Sequence, residues 1–464
     1  MERKNAWKKY SKEQKEEVFA FAEAYKDFIS RCKTERECVA ELTIRAKEAG
    51  FEDLNEVTAS GRQIKTGDKL YVENMGKTLA LFVIGRQPLE KGMNILGAHI
   101  DSPRLDLKQV PLYEDTELAM LDTHYYGGVK KYQWVALPLA LHGVVVKKDG
   151  SKININIGEQ EDDPVFGISD LLVHLASEQL DKKAAKVIEG ENLDVLVGSI
   201  PFDSKEEKDK AKEAVKTNVL NILKEQYNIE EEDFLSAEIE VVPAGKARDY
   251  GLDRSMVMGY GHDDRVCAYP SFAAILEAGA CEKTSACLLV DKEEIGSVGA
   301  TGMQSKFFSY AVAELFEAMG GYSQVSFNRC MTNCKVLSSD VSAAYDPLYA
   351  SVMEKRNCAY FGNGLVFNKY TGSRGKSGSN DANPEYMALL RRIMEDNGVS
   401  FQTSELGKVD QGGGGTIAYI LANYNMSVID SGVAVLNMHA PWEIISKADL
   451  YEAKLGYTVF LREA

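Results

Sequence analysis

The chain has 464 residues, 45% hydrophobic and 27% charged, which allows roughly two to four domains, each with an apolar core. Its 70 acidic against 54 basic residues give a net charge of -16. Without a compensating basic patch, that charge excludes nucleic acid and anionic membrane surfaces as partners. The longest apolar runs, 79–84 and 134–146, are too short to span a bilayer, and the polar start Met1-Glu2-Arg3-Lys4 lacks a secretory signal, so a cytoplasmic globular protein is expected.

In chain order, Val18, Phe21, Ala22, Tyr25, Phe28 and Ile29 recur at helical spacing. Thr34 and Glu37 form a capping box ahead of a second helix that Gly50 ends. A hairpin around Asn74-Met75-Gly76 and a buried strand from Asn94 to His99 follow. From about residue 108 to 245 the pattern turns β-rich, with the run Trp134 to Val146 and the alternation Ile153-Asn-Ile-Asn-Ile157. A polar helix is expected there from Ser204 to Tyr227, capped by Ser204 and Glu207. This block reads as a domain, 108–245, inserted into a catalytic domain built from 1–107 and 246–464.

After Tyr260 helices and strands alternate: a helix near Pro270 to Ala278, a strand Ala286 to Val290, a helix Lys306 to Met319, and a strand near Val336-Leu337. A helix Pro384 to Asp396, a helix from Thr416, a strand Val433 to Met438 and a terminal helix after Ser446 complete it. The fold class is therefore α/β, with a mixed, largely parallel central sheet flanked by helices, and functional groups belong at the strands' carboxyl ends.

Metal-capable side chains follow the expected strand ends: His99 with Asp101, Glu293-Glu294, Asp340 and His439, joined by Asp263-Asp264 before a helix. Singly, each reads as a structural histidine, a helix cap or a solvated carboxylate. In this order they supply what a two-metal hydrolytic site needs. Asp263 bridges, His99 and Asp340 hold one ion, Glu294 and His439 hold the other, and Glu293 is the base for the bridging water. Asp101 would fix the tautomer of His99. Two divalent ions per subunit are expected, and a carboxylate-rich set takes Mn²⁺ or Co²⁺ as well as Zn²⁺. The eight cysteines show no CxxC pair; Cys330 and Cys334 lack two further zinc ligands nearby, so reduced, buried thiols are expected.

The segments Gly97-Ala-His-Ile-Asp-Ser-Pro-Arg-Leu-Asp106, Gly167 to Ala176, Gly261-His-Asp-Asp-Arg265, Asp291-Lys-Glu-Glu-Ile-Gly-Ser297, Ser339-Asp340 and Met438-His439 resemble the aspartyl aminopeptidase and vacuolar aminopeptidase I family of dinuclear zinc exopeptidases, in its bacterial branch. The resemblance covers essentially the whole chain. It implies zinc at the five ligands, Glu293 as base and a cis peptide after Asp263. It also implies a β-rich domain used in oligomerisation, a homo-dodecamer, and His174 at a subunit interface reaching a neighbour's active site. The chain departs from the family's eukaryotic members at Ser342-Ala-Ala-Tyr-Asp-Pro347 and at Asn368 to Lys376, so the preference is left open among acidic, neutral and basic amino-terminal residues.

The expected activity is release of single residues from peptides with a free amino terminus. A two-metal deacylase or carboxypeptidase, or a self-assembling scaffold or cargo protein with a vestigial site, are the alternatives. An acidic substrate side chain would need a cation, for which Lys369, Arg374 and Lys376 in a glycine-rich loop are candidates. The run Gly412 to Gly415 reads as a substrate-lining loop or a tight turn, since the Lys-Ser/Thr of a phosphate loop is missing.

Overall fold

The computed structural model describes residues 4–203, 213–372 and 375–464. They divide into two compact units: Met1–Ser102 with Ala247–Met438 and Glu443–Ala464, and Pro103–Lys246 with His439–Trp442.

The first unit is built on a nine-stranded mixed sheet. In spatial order its strands are Glu52–Asp53, Lys69–Asn74, Thr78–Val83, Thr284–Val290, Met93–His99, Lys335–Ser338, Ser427–Gly432, Leu365–Asn368 and Phe401–Ser404. Met93–His99 is parallel to both of its neighbours. All seven of its residues are buried, because helices cover both faces of the sheet. Leu96 and Ala98 pack on one side with Phe272 and Tyr457, and Met93 and Ile95 on the other with Val312, Leu315 and Ile417. Burial on both faces is why this strand reads as a continuous apolar run without alternation. At Gly97 an added Cβ would stand 3.3 Å from Ile417 Cδ1, so a helix rides directly over the strand.

The two opening helices are Lys12–Arg31 and Glu35–Glu48, the second held by the expected Thr34/Glu37 capping box and the first by a Ser11/Gln14 box. The hairpin is Lys69–Asn74 with Thr78–Val83. Three expectations need correction. The helix placed at Pro270 begins earlier, spanning His262–Ala278 with non-helical dihedrals at Asp263 and Asp264. The expected strand Val433 to Met438 is only Ala434–Leu436, and a strand not expected, Ser427–Gly432, precedes it. Ser427–Gly432 joins the central sheet, and Ala434–Leu436 turns into a separate five-stranded sheet with Glu443–Ser446. The cause is Gly432, where a Cβ would lie 1.9 Å from the Asp340 carbonyl oxygen; the bare backbone lets the chain pass under Asp340 and change sheets. The helix expected from Thr416 is only Ala418–Ala422.

The second unit carries a six-stranded antiparallel sheet in the order Lys152–Ile157, Leu139–Val146, Ala237–Pro243, Arg104–Asp115, Leu118–Tyr126, Val195–Gly198. Within it Arg104 is buried, stacked 3.9 Å from the Tyr126 ring centroid and 3.2 Å from Glu240. Its long helix is Ala214–Tyr227, ended by Asn228 in the left-handed conformation; the expected cap at Ser204 and Glu207 lies outside the described residues. No helix among the described residues is long and apolar enough to cross a membrane. All eight cysteines are buried and unbridged.

Candidate metal centre

Register alone brings the first residues together. His99 pairs with Val290 on one side. On the other, Gly97 pairs with Ser338, which puts Asp340, two residues on, level with His99. Glu293 and Glu294 stand in a single 3-10 turn just beyond Val290, entered through Lys292 and left through Gly296, both left-handed. Three adjacent parallel strands thus deliver an imidazole and three carboxylates to one end of the sheet, where open α/β sheets place their sites.

Asp263 is added from the chain opening the helix His262–Ala278, and its peptide to Asp264 is cis. His99 Nε2 lies 3.1 Å from Asp263 Oδ1 and 4.0 Å from Asp340 Oδ1. Ligand atoms of His99, Asp263 and Asp340 fall within 4.8 Å of one another, as do those of His99, Glu293 and Glu294. Asp264 joins neither group. Nitrogen and carboxylate oxygen donors gathered at this spacing match the donor set of a zinc site.

Asp101, fully buried, ties the group together. Its Oδ1 lies 3.3 Å from His99 Nδ1, and its two carboxylate oxygens accept the backbone N–H groups of Glu293 and Glu294, each at 3.2 Å. One residue therefore orients the histidine, with its backbone carbonyl 3.1 Å from Nδ1 and its carboxylate beside it, and anchors through that carboxylate the turn that carries both glutamates. Two residues that sequence reasoning missed hold Asp263: Glu443 Oε2 accepts its N–H at 3.0 Å, and Ser102 Oγ donates to its carbonyl at 2.7 Å. Asp430, inside the strand Ser427–Gly432, accepts from Thr416 Oγ1 at 2.5 Å. Glu443 had no signal in the sequence, being a single acid in an apolar strand.

The electrostatics are those of crowded, dehydrated carboxylates. Burial, then the charge of Glu293, pushes the Asp340 carboxyl well up, and burial does the same to Asp264. For His99, burial opposes the charged form, but hydrogen bonds to Asp101 and Asp263 outweigh it and raise the imidazole. A divalent cation would reverse the balance for the carboxylates.

The remaining expected residues are placed as follows. His439 belongs to the segment His439–Trp442 of the second unit, where its Nδ1 is 3.0 Å from the Gly128 carbonyl. His174 is in the same unit, in the exposed turn Val173–Leu175. Lys369 and Lys376 lie in the first unit and both pair with Asp381. Arg374 lies outside the described residues.

Residues 28–461 match the family model described as Aminopeptidase I zinc metalloprotease (M18). The chain belongs to the M18 family. A probable M18 family aminopeptidase 1 of Clostridium acetobutylicum is 65% identical over 460 residues, covering 99% of this chain and 98% of that protein. The crystal structure of aminopeptidase I from Clostridium acetobutylicum is similar with a TM-score of 0.92 and 63% identity, covering 100% of this chain and 99% of that one. That of an M18 aminopeptidase from Thermotoga maritima is similar with a TM-score of 0.94 and 46% identity, covering all of both chains. This M18 chain therefore has the mixed α/β fold of its relatives and belongs with hydrolases that act on peptides.

Proposed function

We propose that this M18 chain releases single amino-terminal residues from peptides at a two-metal centre, with Glu293 as general acid and base. The observation that carries the reading is Asp101, which positions both His99 and the turn bearing Glu293 and Glu294. A scaffold has no physical need for such an arrangement.

His99 and Asp340 would hold one ion, Glu294 and His439 the other, with Asp263 shared between them. The Nδ1–H bond of His439 to the Gly128 carbonyl leaves Nε2 as its ligating nitrogen. When bound, divalent zinc supplies Lewis-acid polarisation of the scissile carbonyl, and Mn²⁺ or Co²⁺ suits the same donors. Glu293 takes the proton of the attacking water and returns it to the leaving amine nitrogen. The buried Asp101 and Glu443 hold the backbone of the acidic residues in place, so the geometry is set before substrate arrives.

We also assign the unit Pro103–Lys246 to self-assembly, the dodecamer of the family resemblance, with His174 reaching a neighbour. Leu171, Leu172, Val173 and Leu175 around that histidine are all exposed, and apolar runs of this kind mark interaction surfaces. Sedimentation as a monomer would overturn this assignment.

The deciding experiment is hydrolysis of Asp, Glu, Leu and Lys anilides and one amino-acetylated control by metal-free protein, repeated with Zn²⁺, Mn²⁺ or Co²⁺. Metal-restored cleavage of the free amino termini alone is expected. Cleavage of the acetylated control would make the chain a deacylase, and no cleavage with metal bound would leave the scaffold.

A further inference from the structure

Arg265 follows Asp263-Asp264 in the helix His262–Ala278 and is only 1% exposed. The dihedrals are non-helical at Asp263 and Asp264, so the regular helix resumes at Arg265. Its guanidinium lies back against Gly261, where an added Cβ would stand 2.2 Å from Nη1 and 3.0 Å from Cζ. Gly261 has a φ of +74°, so glycine serves there both the turn and the space that the guanidinium fills.

The guanidinium joins its own helix to two other pieces of chain. Nε donates to the Ile100 carbonyl at 3.1 Å, and Nη2 donates to the Lys33 carbonyl at 2.8 Å. Ile100 stands between His99 and Asp101, and its own N–H donates to the Val290 carbonyl at 2.9 Å, on the strand that leads to Glu293. Lys33 is in the turn between the helices Lys12–Arg31 and Glu35–Glu48. Its N–H donates to Glu37 Oε2 at 2.8 Å, so the capping acid of the second helix fixes this turn as well. The Tyr260 ring centroid lies 5.4 Å from Arg265 Cζ. A buried charge is a poor way to gain stability alone, since an apolar side chain of similar volume packs as well. What a guanidinium adds is a planar, permanently charged fork whose donors keep a fixed spacing.

We infer that Arg265 is a positioning residue for the metal centre: by bonding the Ile100 and Lys33 carbonyls together it sets the helix start that carries Asp263 against the strand end that carries His99. The inference rests on the two-metal aminopeptidase reading. Glu443 and Ser102 hold the N–H and carbonyl of Asp263 itself, whereas Arg265 governs the distance between the two elements. His99 Nε2 and Asp263 Oδ1, 3.1 Å apart, are the pair whose spacing depends on it. A lysine does not replace the fork, because one ammonium cannot occupy the Nε and Nη2 positions together.

The test uses the full chain with Arg265→Lys, with Arg265→Met, and with Gly261→Ala, which keeps the arginine and crowds it from its place. Three quantities are read: zinc affinity by competition with a chromophoric chelator, kcat and KM separately on the best-cleaved anilide, and the melting temperature of the metal-free protein. Residues that orient metal ligands are worth about 10- to 100-fold in metal affinity or activity. Zinc should therefore bind about 10-fold more weakly in all three variants, and kcat should fall while KM stays near the wild-type value. Arg265→Lys should hold zinc no better than Arg265→Met. Full rescue by lysine overturns the inference. So do wild-type zinc affinity and kcat in variants whose only change is a lower melting temperature, and so does failure of all three to fold, since each makes Arg265 a part of the fold alone. If the metal-loaded wild type cleaves no anilide, the aminopeptidase reading falls, while the zinc affinities still decide whether Arg265 sets the donors.

Discussion

The two ends of three neighbouring strands, Thr284–Val290, Met93–His99 and Lys335–Ser338, are both largely buried and chemically opposite. At the carboxyl ends stand His99, Asp101, Asp340 and the Glu293–Glu294 turn. At the amino ends the Met93 N–H donates to Cys334 Sγ at 3.3 Å, Cys334 Sγ lies 3.2 Å from the Cys330 carbonyl, and a Cβ at Gly92 would lie 2.2 Å from the Asn333 carbonyl oxygen. One end gathers like charges that repel in a dry setting; the other is tight packing around thiols. Burial by itself therefore marks neither a site nor a core, and the distinction lies in which groups the parallel strands aim at the loops that follow them.

That contrast can be broken. The largest expected effect is Glu293→Gln, which should lower turnover by roughly 100-fold or more while metal content, read by elemental analysis, stays near that of the wild type; full turnover would remove Glu293 from the chemistry. At the opposite end, Cys334→Ala should lower the melting temperature through the loss of about 1 kcal/mol of packing and hydrogen bonding, with kcat/KM unaltered. A fall in kcat/KM would mean the two ends are not independent.

The smallest effect sharpens the comparison with a buried carboxylate outside the metal cluster. Asp449 accepts the N–H groups of Gly362 and Gly364 at 2.8 and 2.7 Å, yet burial pushes its carboxyl up to about 8. Between an unfolded value of about 3.9 and that folded value, the native protein binds a proton the unfolded chain does not. Its contribution to stability is therefore complete below about pH 4 and lost as pH rises through 8. Melting temperature measured from pH 5 to 8.5 should fall less steeply in Asp449→Asn; an identical slope would show that Asp449 is ionised in the fold.

The order His99, Asp101, Asp263, Glu293-Glu294, Asp340 was legible because each residue ends an apolar run or opens a helix, positions that a one-dimensional pattern marks. The strands Leu365–Asn368 and Phe401–Ser404 were not, since each has four residues, too few for a period to show. Glu443 was hidden for a different reason. Its partner Asp263 is 180 residues away, and such a pairing leaves no local trace. Asp381 reads in sequence as one more acid in an acidic protein; only folding of the loop sets it between two lysines.

The closure of the Lys369–Ala382 segment by a single backbone hydrogen bond at its neck, from the Ala382 N–H to the Lys369 carbonyl at 2.9 Å, has a consequence for how this enzyme can change. The ends of the loop are fixed by the sheet side of that bond, so residues beyond it can be exchanged, inserted or deleted without moving the strand that leads to it. Because the entropy of closing a loop grows only slowly with its length, such a segment behaves as an exchangeable cassette, in which length and composition can drift while the sheet that carries the metal-capable residues stays as it is.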